Sequence, residues 1–425
     1  MKSELPPGWS HRKLDELGFV GRGRSRHRPR NHPSLYGGPY PFFQTGDVKT
    51  AELYLSDYNQ TYNEKGLAQS KLWEPGSLCI TIAANIAESA ILKIRGCFPD
   101  SIVGFIADPE KADVRFVKYA IDTMKLRMQS ISRGTTQDNL SLDKLLTFDF
   151  LAPPLPTQRK IAAILSAYDD LIENNTLRIA ILEAMAQAIY REWFVHFGFP
   201  GHEQVAMVDS ELGPIPEGWE VASILDVPYF RFVRQNVRSY EGTKRYFATA
   251  DVRGIEIVGE GIEYAYEDKP SRAQKNPVVN SVWFARMKET YKVLPFTAVN
   301  EHLAASSLLS SGFAGFEATD PNAFGFLFFT IDSDEFHERK DLYCTGATQM
   351  SLNNEGLGRI ELIVPDESTV TAFGRIAQPM VDQILILQAR NSLLRRTRDL
   401  LLPRLISGEV DVSDLPIDTG GLTDD

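Results

Sequence analysis

Three absences in the 425-residue sequence narrow the kind of protein it encodes. Only three cysteines are present, and because they are scattered and odd in number, we expect reduced thiols that serve as packing residues. The longest apolar run, Phe324 to Phe329, is far too short to cross a bilayer. The beginning of the chain has charged residues where a signal peptide would have an apolar stretch. These absences predict a cytoplasmic protein with no membrane partner.

Motifs for catalysis and for metal binding are also missing. The sequence has no GxxxxGK[ST] phosphate loop, and it lacks the acidic-or-amide, proline, proline, aromatic turn that adenine methylation needs. No acidic pair is followed by the E-x-K spacing of a metal-dependent nuclease. The seven histidines have no metal-ligand spacing with the cysteines. We therefore expect no catalytic residue, no metal site and no cofactor in this chain, and we expect partners to supply any catalysis.

Charge is distributed unevenly along the chain. The net charge of -11, taken as an average, argues against a nucleic-acid partner. Residues 1–152, however, contain 20 Lys and Arg against 17 Asp and Glu, whereas residues 201–365 contain 15 against 24. The most basic stretch is RGRSRHRPR, residues 22–30. The first part of the chain is therefore the better candidate for binding a polyanion.

An internal repeat divides the chain into two halves. The motif LPPGW (Leu5 to Trp9) recurs as IPEGW (Ile215 to Trp219), and GDV at 46–48 is echoed by ADV at 250–252. Further matches, all at an offset of 212, pair Gly134, Gln137, Pro153 and Ile164 with Gly346, Gln349, Pro365 and Ile376. The repeat predicts two similar domains in tandem.

The body of each half, roughly 10–150 and 220–363, has a mixed pattern. Short β-rich runs such as LCITIA and AFGFLFFTI alternate with turn residues, and stretches such as VRFVKYAIDTMKLRM have a helical pattern. This mixture favours a compact α+β domain in each half.

Each half ends in the pattern of a long helix. From Pro156 to Trp193 no proline or glycine interrupts the chain, which predicts a helix on the order of 55 Å long. Alternating spacings of four and three, with one asparagine among apolar residues, are typical of a coiled-coil seam. The first seam is Ile161, Leu165, Tyr168, Ile172, Asn175, Ile179, Leu182, Ala186, Ile189 and Trp193. Adding 212 gives the second seam: Phe373, Ala377, Met380, Ile384, Leu387, Asn391, Leu394, Arg398, Leu401 and Leu405.

The seam predicts how the two helices pair. If they run antiparallel about their centres, Asn175 faces Asn391, and two buried amides that satisfy each other would set the register. Alternatively, one or both amides are solvated at a loose position. Pro379 predicts either a kink or the true beginning of the second helix, and Arg398 interrupts the seam.

A second apolar stripe on the first helix lies outside the seam. One partner helix cannot cover both stripes, so the surplus predicts a further partner, either the globular domains or another protein chain. The stripe consists of Ile164, Leu171, Leu177 and Ile181.

These segments together resemble the specificity (S) subunit of type I restriction-modification systems, the HsdS family. The stretch from Pro153 to Phe194 is similar to the family's central conserved region, and LLPRLISGEVDV, residues 401–412, is similar to its distal conserved region. In two respects the chain departs from the family's pattern: residues 201–365 are acidic, and the PLPxQ of the first repeat becomes VPDEST in the second.

The resemblance implies a fold of two α+β target recognition domains in tandem, separated by two long helices that form an antiparallel coiled coil with pseudo-twofold symmetry. It places the first recognition domain at 1–152, the central helix at 153–198, the second recognition domain at 199–365, the distal helix at 366–408 and an acidic tail at 409–425.

The resemblance also implies partners. Each domain would read half of a split double-stranded DNA site. The helices would dock two methyltransferase (M) subunits and two restriction (R) subunits, and S-adenosylmethionine, ATP and Mg would bind to those partners.

Arginine is suited to both phosphate and guanine edges, so basic clusters are the candidates for DNA contact. In the first half these are Arg22, Arg24, Arg26, Arg28, Arg30 and Lys49, and in the second half Arg231, Arg234, Arg238, Lys244 and Arg245. A solvated basic loop is the alternative. Trp9 and Trp219 are expected to be buried anchors in preference to base-stacking residues. Gln137 and Gln349 belong to turns, or they reach adenine edges.

Two functions from other classes compete with a DNA-recognition subunit. One is an autonomous DNA methyltransferase or nuclease with a site that no motif reveals. The other is a helical scaffold that gathers proteins and never reads DNA.

Overall fold

The computed structural model describes residues 5–132, 140–347 and 350–419, which form a mixed α+β protein, as expected from the sequence. The chain divides into two compact units. Unit 1 comprises residues 1–173 and 392–425, and unit 2 comprises residues 174–391.

Unit 1 is built on two main sheets, with strand orders β2-β10-β7-β8-β4 and β5-β3-β9-β6, and a small β1-β11 pair. Its strands are β1 (Ser10–Arg12), β2 (Gly18–Arg22), β3 (Tyr36–Phe42), β4 (Tyr54–Leu55), β5 (Gln60–Tyr62), β6 (Leu72–Trp73), β7 (Leu78–Thr81), β8 (Ser89–Leu92), β9 (Gly96–Cys97), β10 (Ile102–Ala107) and β11 (Phe150–Ala152). Its helices are α1 (Leu14–Leu17), α2 (Thr45–Thr50), α3 (Glu64–Ala68), α4 (Val114–Ser132), α5 (Leu142–Leu145) and the first part of α6 (Leu155–Phe194).

The position of β7 explains why its first three residues, Leu78, Cys79 and Ile80, are all apolar. Alternate side chains of a strand point to opposite faces of the sheet. Leu78 and Ile80 pack into the core that contains α4 and the first part of α6, whereas Cys79 faces a second core that contains Trp73 and Phe98. Both faces are thus covered, so the strand has no polar side.

Unit 2 has main sheets of order β15-β24-β21-β22 and β19-β16-β23-β20, with pairs β12-β13, β14-β25 and β17-β18. Its strands are β12 (Met207–Ser210), β13 (Gly213–Pro216), β14 (Glu220–Ser223), β15 (Phe230–Phe232), β16 (Lys244–Phe247), β17 (Val252–Arg253), β18 (Glu256–Ile257), β19 (Ile262–Tyr264), β20 (Ala273–Lys275), β21 (Ser281–Ala285), β22 (Val293–Phe296), β23 (Ser307–Ser310), β24 (Phe313–Ala318) and β25 (Glu361–Val364). Its helices are α7 (Glu301–Ser306), α8 (Phe324–Asp332), α9 (Asp334–Leu342), α10 (Asn354–Gly358) and the first part of α11 (Glu367–Ile406), together with the second part of α6.

The two units repeat one sheet topology. The order β2-β10-β7-β8 of unit 1 matches β15-β24-β21-β22 of unit 2, and β5-β3-β9-β6 matches β19-β16-β23-β20. The central pairs β3-β9 and β16-β23 are both parallel. In each unit the strand that follows the Pro-x-Gly-Trp motif pairs with the strand that precedes a long helix. The duplication indicated by short motifs therefore extends to the strand order.

One secondary-structure prediction is wrong. The run AFGFLFFTI was expected to be β-rich, but residues 324–332 form helix α8. Asp320 caps the turn that leads into it by accepting a hydrogen bond from the backbone N–H of Asn322. The side chains from Phe324 to Ile331 are all buried, so the helix has no polar face to produce a helical period. A continuous apolar run of this length therefore fits a buried strand and a buried helix equally well.

The long helices α6 and α11 lie within the predicted segments 153–198 and 366–408, and each is 40 residues long, about 60 Å at 1.5 Å per residue. Both helices extend from one compact unit into the other. Pro379 does not mark the beginning of α11, which starts at Glu367. The preceding residue, Asp366, accepts a hydrogen bond from the backbone N–H of Thr369. Within the described residues, no helix is long and apolar enough to cross a membrane.

Candidate functional site

Arg22 is the last residue of β2, and the other four arginines lie on the loop between β2 and β3, which is held by the connection between α3 and β6. The side-chain oxygen of Gln69 accepts hydrogen bonds from the backbone N–H groups of Arg26 and His27, at 2.6 and 3.0 Å. The hydroxyl of Ser70 donates to the carbonyl of Arg24 at 2.7 Å. Because these bonds fix its backbone, the loop is an ordered part of unit 1.

Three of the five arginines stabilise this loop. Arg30 forms an ion pair with the Asp100 carboxylate at 2.7 Å, and Nε of Arg22 donates to the carbonyl of Asp100 at 3.2 Å. The guanidinium of Arg28 donates to two carbonyls of its own loop. Their charges are therefore committed, at least in part, to intramolecular contacts.

The remaining cations of this cluster are available. In the described part of the chain, the side chains of Arg24, Arg26 and Lys49 form no hydrogen bond and no ion pair. Arg26 and Lys49 are exposed, and Arg24 is half-buried. The structure thus selects a subset of the predicted DNA-binding residues as the better candidates for phosphate.

In unit 2 the predicted cations divide in the same way. Arg231 pairs with Glu317 and Arg245 pairs with Glu263, both at 2.7 Å. Lys244 donates to the side chain of Asn276 at 2.5 Å, and partial burial lowers the pKa of Lys244. Arg234 and Arg238 are exposed in the segment between β15 and β16 and have no side-chain partner among the described residues. Some of the carboxylates of this acidic body therefore neutralise its own cations.

In each unit, α6 and α11 pack antiparallel. In unit 1, Ile161 and Leu165 near the beginning of α6 share a buried cluster with Leu405 near the end of α11. In unit 2, Trp193 near the end of α6 contacts the ring of Phe373 near the beginning of α11. All the predicted seam residues are buried or half-buried.

The two asparagines of the seam meet. Nδ2 of Asn175 donates to Oδ1 of Asn391 at 2.9 Å, and Nδ2 of Asn391 lies 3.3 Å from the hydroxyl of Thr176. Both asparagines are buried, so neither is the solvated residue of the alternative interpretation. Because a shift of either helix would leave a buried amide unpaired, this contact sets the register of the pair.

The charge of Arg398 suggested that this residue interrupts the seam, but it does not. Its guanidinium pairs with Asp169, which is 3% exposed and which also accepts a hydrogen bond from the hydroxyl of Tyr119 on α4. Burial alone would lower the pKa of Arg398, but the Asp169 carboxylate outweighs burial and raises it. Burial, reinforced by the same carboxylate, also raises the pKa of Tyr119. A charged cluster thus joins both long helices to the body of unit 1.

The second apolar stripe of α6 is mostly exposed. Leu171, Leu177 and Ile181 are 54%, 58% and 58% exposed. Ile164 differs, because it is half-buried and packs against the core of unit 1. For Ile164, the globular body is therefore the further partner, which is the first of the two alternatives for this stripe.

The predicted anchors lie at the ends of the long helices. Trp219 is 5% exposed, stacks on Phe199 at 5.1 Å between ring centroids, and donates from Nε1 to Asp366 at 3.2 Å. Trp9 is half-buried, and its ring lies against Gly408. Burial leaves Trp219 no access for base stacking.

Most of the repeated Gly-x-Thr-Gln element, including Gly134, Gln137 and Gln349, lies outside the described residues, so the choice between turn and adenine contact stays a prediction.

Sequence reasoning missed Lys71 as a candidate. Its ammonium lies 3.6 Å from the ring centroid of Trp73 and 4.7 Å from that of Phe19. The sequence signal was weak, because Phe19 is on β2 and comes near Lys71 only through the sheet.

Across residues 5–132, 140–347 and 350–419, no group of three or more His, Cys, Asp or Glu is placed to hold a metal ion. The cysteines are free and buried, and burial raises the pKa of each thiol, which suits packing residues.

Comparisons with known proteins point in one direction. The family model described as "Type I restriction modification DNA specificity domain" matches residues 6–184. The chain is 27% identical to the type I restriction enzyme MjaIX specificity subunit of Methanocaldococcus jannaschii, over 97% of this chain and 96% of that protein. It is 23% identical to the HindI specificity subunit of Haemophilus influenzae, over 68% of this chain and 74% of the other.

A solved structure shares the fold. The crystal structure of a type I restriction-modification S subunit from M. genitalium superimposes with a TM-score of 0.59 at 16% identity. The match covers 95% of this chain and 98% of that one. The expected α+β fold with two long paired helices is therefore confirmed.

Proposed function

We propose that this chain is a specificity subunit of a type I restriction-modification system, which recognises a bipartite DNA site and assembles the methyltransferase and restriction subunits on it. The observation that carries the proposal is the repeated sheet topology of the two units, in a chain whose long helices extend through both. A protein built from two similar readers matches a target built from two half-sites.

The basic residues support DNA as the ligand. Arg24, Arg26 and Lys49 in unit 1, and Arg234 and Arg238 in unit 2, are cations without side-chain partners in the described part of the chain. Phosphate contacts of this kind position a protein on the duplex, whereas contacts to base edges specify the sequence. Each unit therefore has cations that can bind phosphate, and it requires further residues to contact base edges.

The exposed stripe supports partner docking. Leu171, Leu177 and Ile181 present large apolar side chains along one helix, and such surfaces usually mark protein interfaces. We assign two methyltransferase subunits, one to each half of the duplicated chain, and two restriction subunits to the full assembly.

We further propose that this chain is a non-catalytic subunit of the cytoplasm. S-adenosylmethionine, ATP and Mg would bind to the partners, whose assembly would be a site-specific deoxyribonuclease and adenine methyltransferase. Because such a methyltransferase acts on a base extruded from the duplex, this chain's part is to hold the DNA so that each half-site meets a catalytic pocket.

Methylome sequencing tests the proposal. In the organism that carries the chain, we expect adenine methylation at a motif of two short half-sites separated by a gap of unspecified bases, and complete loss of that methylation when the chain is deleted. Restoring the gene should restore the motif. Unchanged methylation after deletion would contradict the proposal. Sequence-independent retention of DNA by the purified complex would favour the scaffold instead.

The length of the helices should set the gap. Inserting one matched heptad after Glu173 in α6 and another after Asn391 in α11 keeps Asn175 with Asn391 and Asp169 with Arg398. Seven residues add about 10 Å, or roughly 3 base pairs at 3.4 Å each. We expect both half-sites to be retained and the gap to lengthen by about that amount, as read by methylome sequencing.

A heptad in α6 alone is the control for this prediction. It displaces one helix against the other, so the yield of folded complex should fall. A matched insertion that assembles and methylates the original motif with its original gap would refute this role of the helices.

A further inference from the structure

An apolar pair is exposed at the edge of the main sheet of unit 1. Phe19 lies on the edge strand β2, directly opposite Ile106 on β10. The two residues are 54% and 44% exposed. Proteins usually protect edge strands with charged residues, because an exposed apolar edge invites aggregation. We therefore expect a ligand or a partner to cover this pair.

Two cations border this pair. Lys71 lies above the rings of Phe19 and Trp73, at 4.7 and 3.6 Å from their centroids. The neighbouring Ser70 donates a hydrogen bond to the carbonyl of Arg24. This bond holds Arg24, the second cation, near Lys71. Neither cation has an anionic side-chain partner in the described residues, and burial together with the charge of Arg24 lowers the pKa of Lys71. Two uncompensated positive charges next to an apolar surface favour a ligand that is both anionic and partly apolar.

The floor of this patch is rigid. The ring of Trp73 is buried and lies against the α-carbons of Gly21 and Gly104, and it stacks on Phe98 at 4.9 Å between centroids. A Cβ at Gly104 would lie 2.4 Å from the indole. Lys71 and Phe19 are thus supported by a side chain that cannot move aside.

Unit 2 has different chemistry at the equivalent place. Gly104 and Gly315 occupy the same strand of the shared topology, and each has a tryptophan ring packed against its α-carbon. Two residues after these glycines lie Ile106 in unit 1 and Glu317 in unit 2. Each pairs with a residue of the edge strand, Ile106 with Phe19 and Glu317 with Arg231. The two units thus share a sheet topology but differ in this surface pair, as expected of two domains that recognise different half-sites.

We propose that Phe19, Ile106, Lys71 and Arg24 form a DNA-contact patch that determines specificity in one half-site, an inference that rests on the proposed function. Lys71 and Arg24 bind backbone phosphate, and Phe19 with Ile106 contacts the apolar edges of bases, such as the thymine methyl group in the major groove. Arg231 and Glu317 hold the same position for the other half-site. A duplex fits better than an acidic protein, because it supplies phosphates and apolar base edges side by side.

The test uses the chain co-expressed with the methyltransferase subunit of its own system. The wild-type motif is first read by methylome sequencing, and duplexes with that motif and with single-base changes are then titrated at several salt concentrations. The variants are Phe19→Ala and Lys71→Gln. Matched controls are Leu126→Ala, a residue 80% exposed on α4, and Arg95→Gln, an exposed cation already paired with Glu74.

Lys71→Gln should weaken binding to every duplex alike and reduce the slope of log affinity against log salt by about 1. Phe19→Ala should reduce discrimination at one or two positions of a single half-site by roughly 10-fold, within the range of one mismatched pair, and leave the other half-site unchanged. The controls should behave as wild type.

Three results separate the possible failures. If the wild-type complex reads a motif and both variants match the controls, the patch is refuted and the proposed function stands. If the wild-type complex reads no bipartite motif, the proposed function fails and the patch with it. If the variants bind DNA normally but no longer co-purify with the methyltransferase subunit, the patch is a protein interface and the DNA assignment is overturned.

Discussion

Exchanging residues 10–152 for the corresponding body of another specificity subunit is expected to change one half of the recognised site completely and to leave the other half and the gap unchanged. This segment includes both strands of the β1-β11 pair and both main sheets of unit 1. Residues 220–364 form the equivalent segment of unit 2. Because the sheets of each unit hydrogen-bond only to strands of their own unit within the described residues, each body is expected to carry its own reading surface.

The exchanged segment must also make the contacts with the long helices that residues 10–152 make in unit 1. Tyr119 of α4 donates its hydroxyl to the buried Asp169, and Phe150 packs in the cluster that contains Ile161 and Leu405. A donor body that supplies equivalent side chains should fold, and methylome sequencing then reads the hybrid motif. The reciprocal exchange of 220–364 is the control and should change the other half only. Change in both halves after a single exchange would show that the units do not read independently.

The second large effect concerns stability. Arg398→Ala should destabilise the chain by about 3–5 kcal/mol, because it leaves the buried carboxylate of Asp169 without its cation. The hydroxyl of Tyr119 would be the remaining partner of Asp169 and cannot neutralise the charge. Urea unfolding of wild type and variant, at constant slope, measures the difference. Arg404→Ala removes an arginine of the same helix that forms an exposed pair with Glu409, and it should cost at most about 1 kcal/mol.

A compensating variant distinguishes an unpaired charge from a simple loss of packing. Replacing the three buried members of the cluster, with Tyr119→Phe, Asp169→Leu and Arg398→Met together, removes its buried polar groups at once and leaves only the exposed Asp399, the second partner of Arg398. Such replacements of buried ion pairs are often neutral or stabilising. We therefore expect the triple variant to recover most of the stability lost by Arg398→Ala. If Arg398→Ala is as mild as Arg404→Ala, the cluster does not have the assigned role.

The long helices were predictable because their signal is local. A spacing of three and four, here from Ile161 to Trp193, is visible without knowledge of any other segment, and it located the seam and the facing asparagines Asn175 and Asn391. The run around Phe326 was misassigned for a related reason. Its apolar character is continuous, so no period distinguishes helix from strand, and only its position inside the core of unit 2 decides.

The candidate DNA contacts were predictable only as a set. The sequence places five arginines between 22 and 30, but it does not show that Asp100, seventy residues away from Arg30, neutralises part of the cluster. Nor does it show that Lys71 lies above Phe19. These relations depend on which strands pair, and strand pairing between distant segments leaves no local mark in the sequence.

By itself, the amino-acid sequence determined the duplicated plan, the presence of the two long helices and the residues along their seam, since each follows from repeated or periodic patterns of side chains. The tertiary structure alone decided that Arg398 is a buried partner of Asp169, that Ile164 belongs to a core, and which cations are left for a ligand. The physical reason is that the energy of a charge or an apolar group depends on what surrounds it, and those surroundings come from distant parts of the chain.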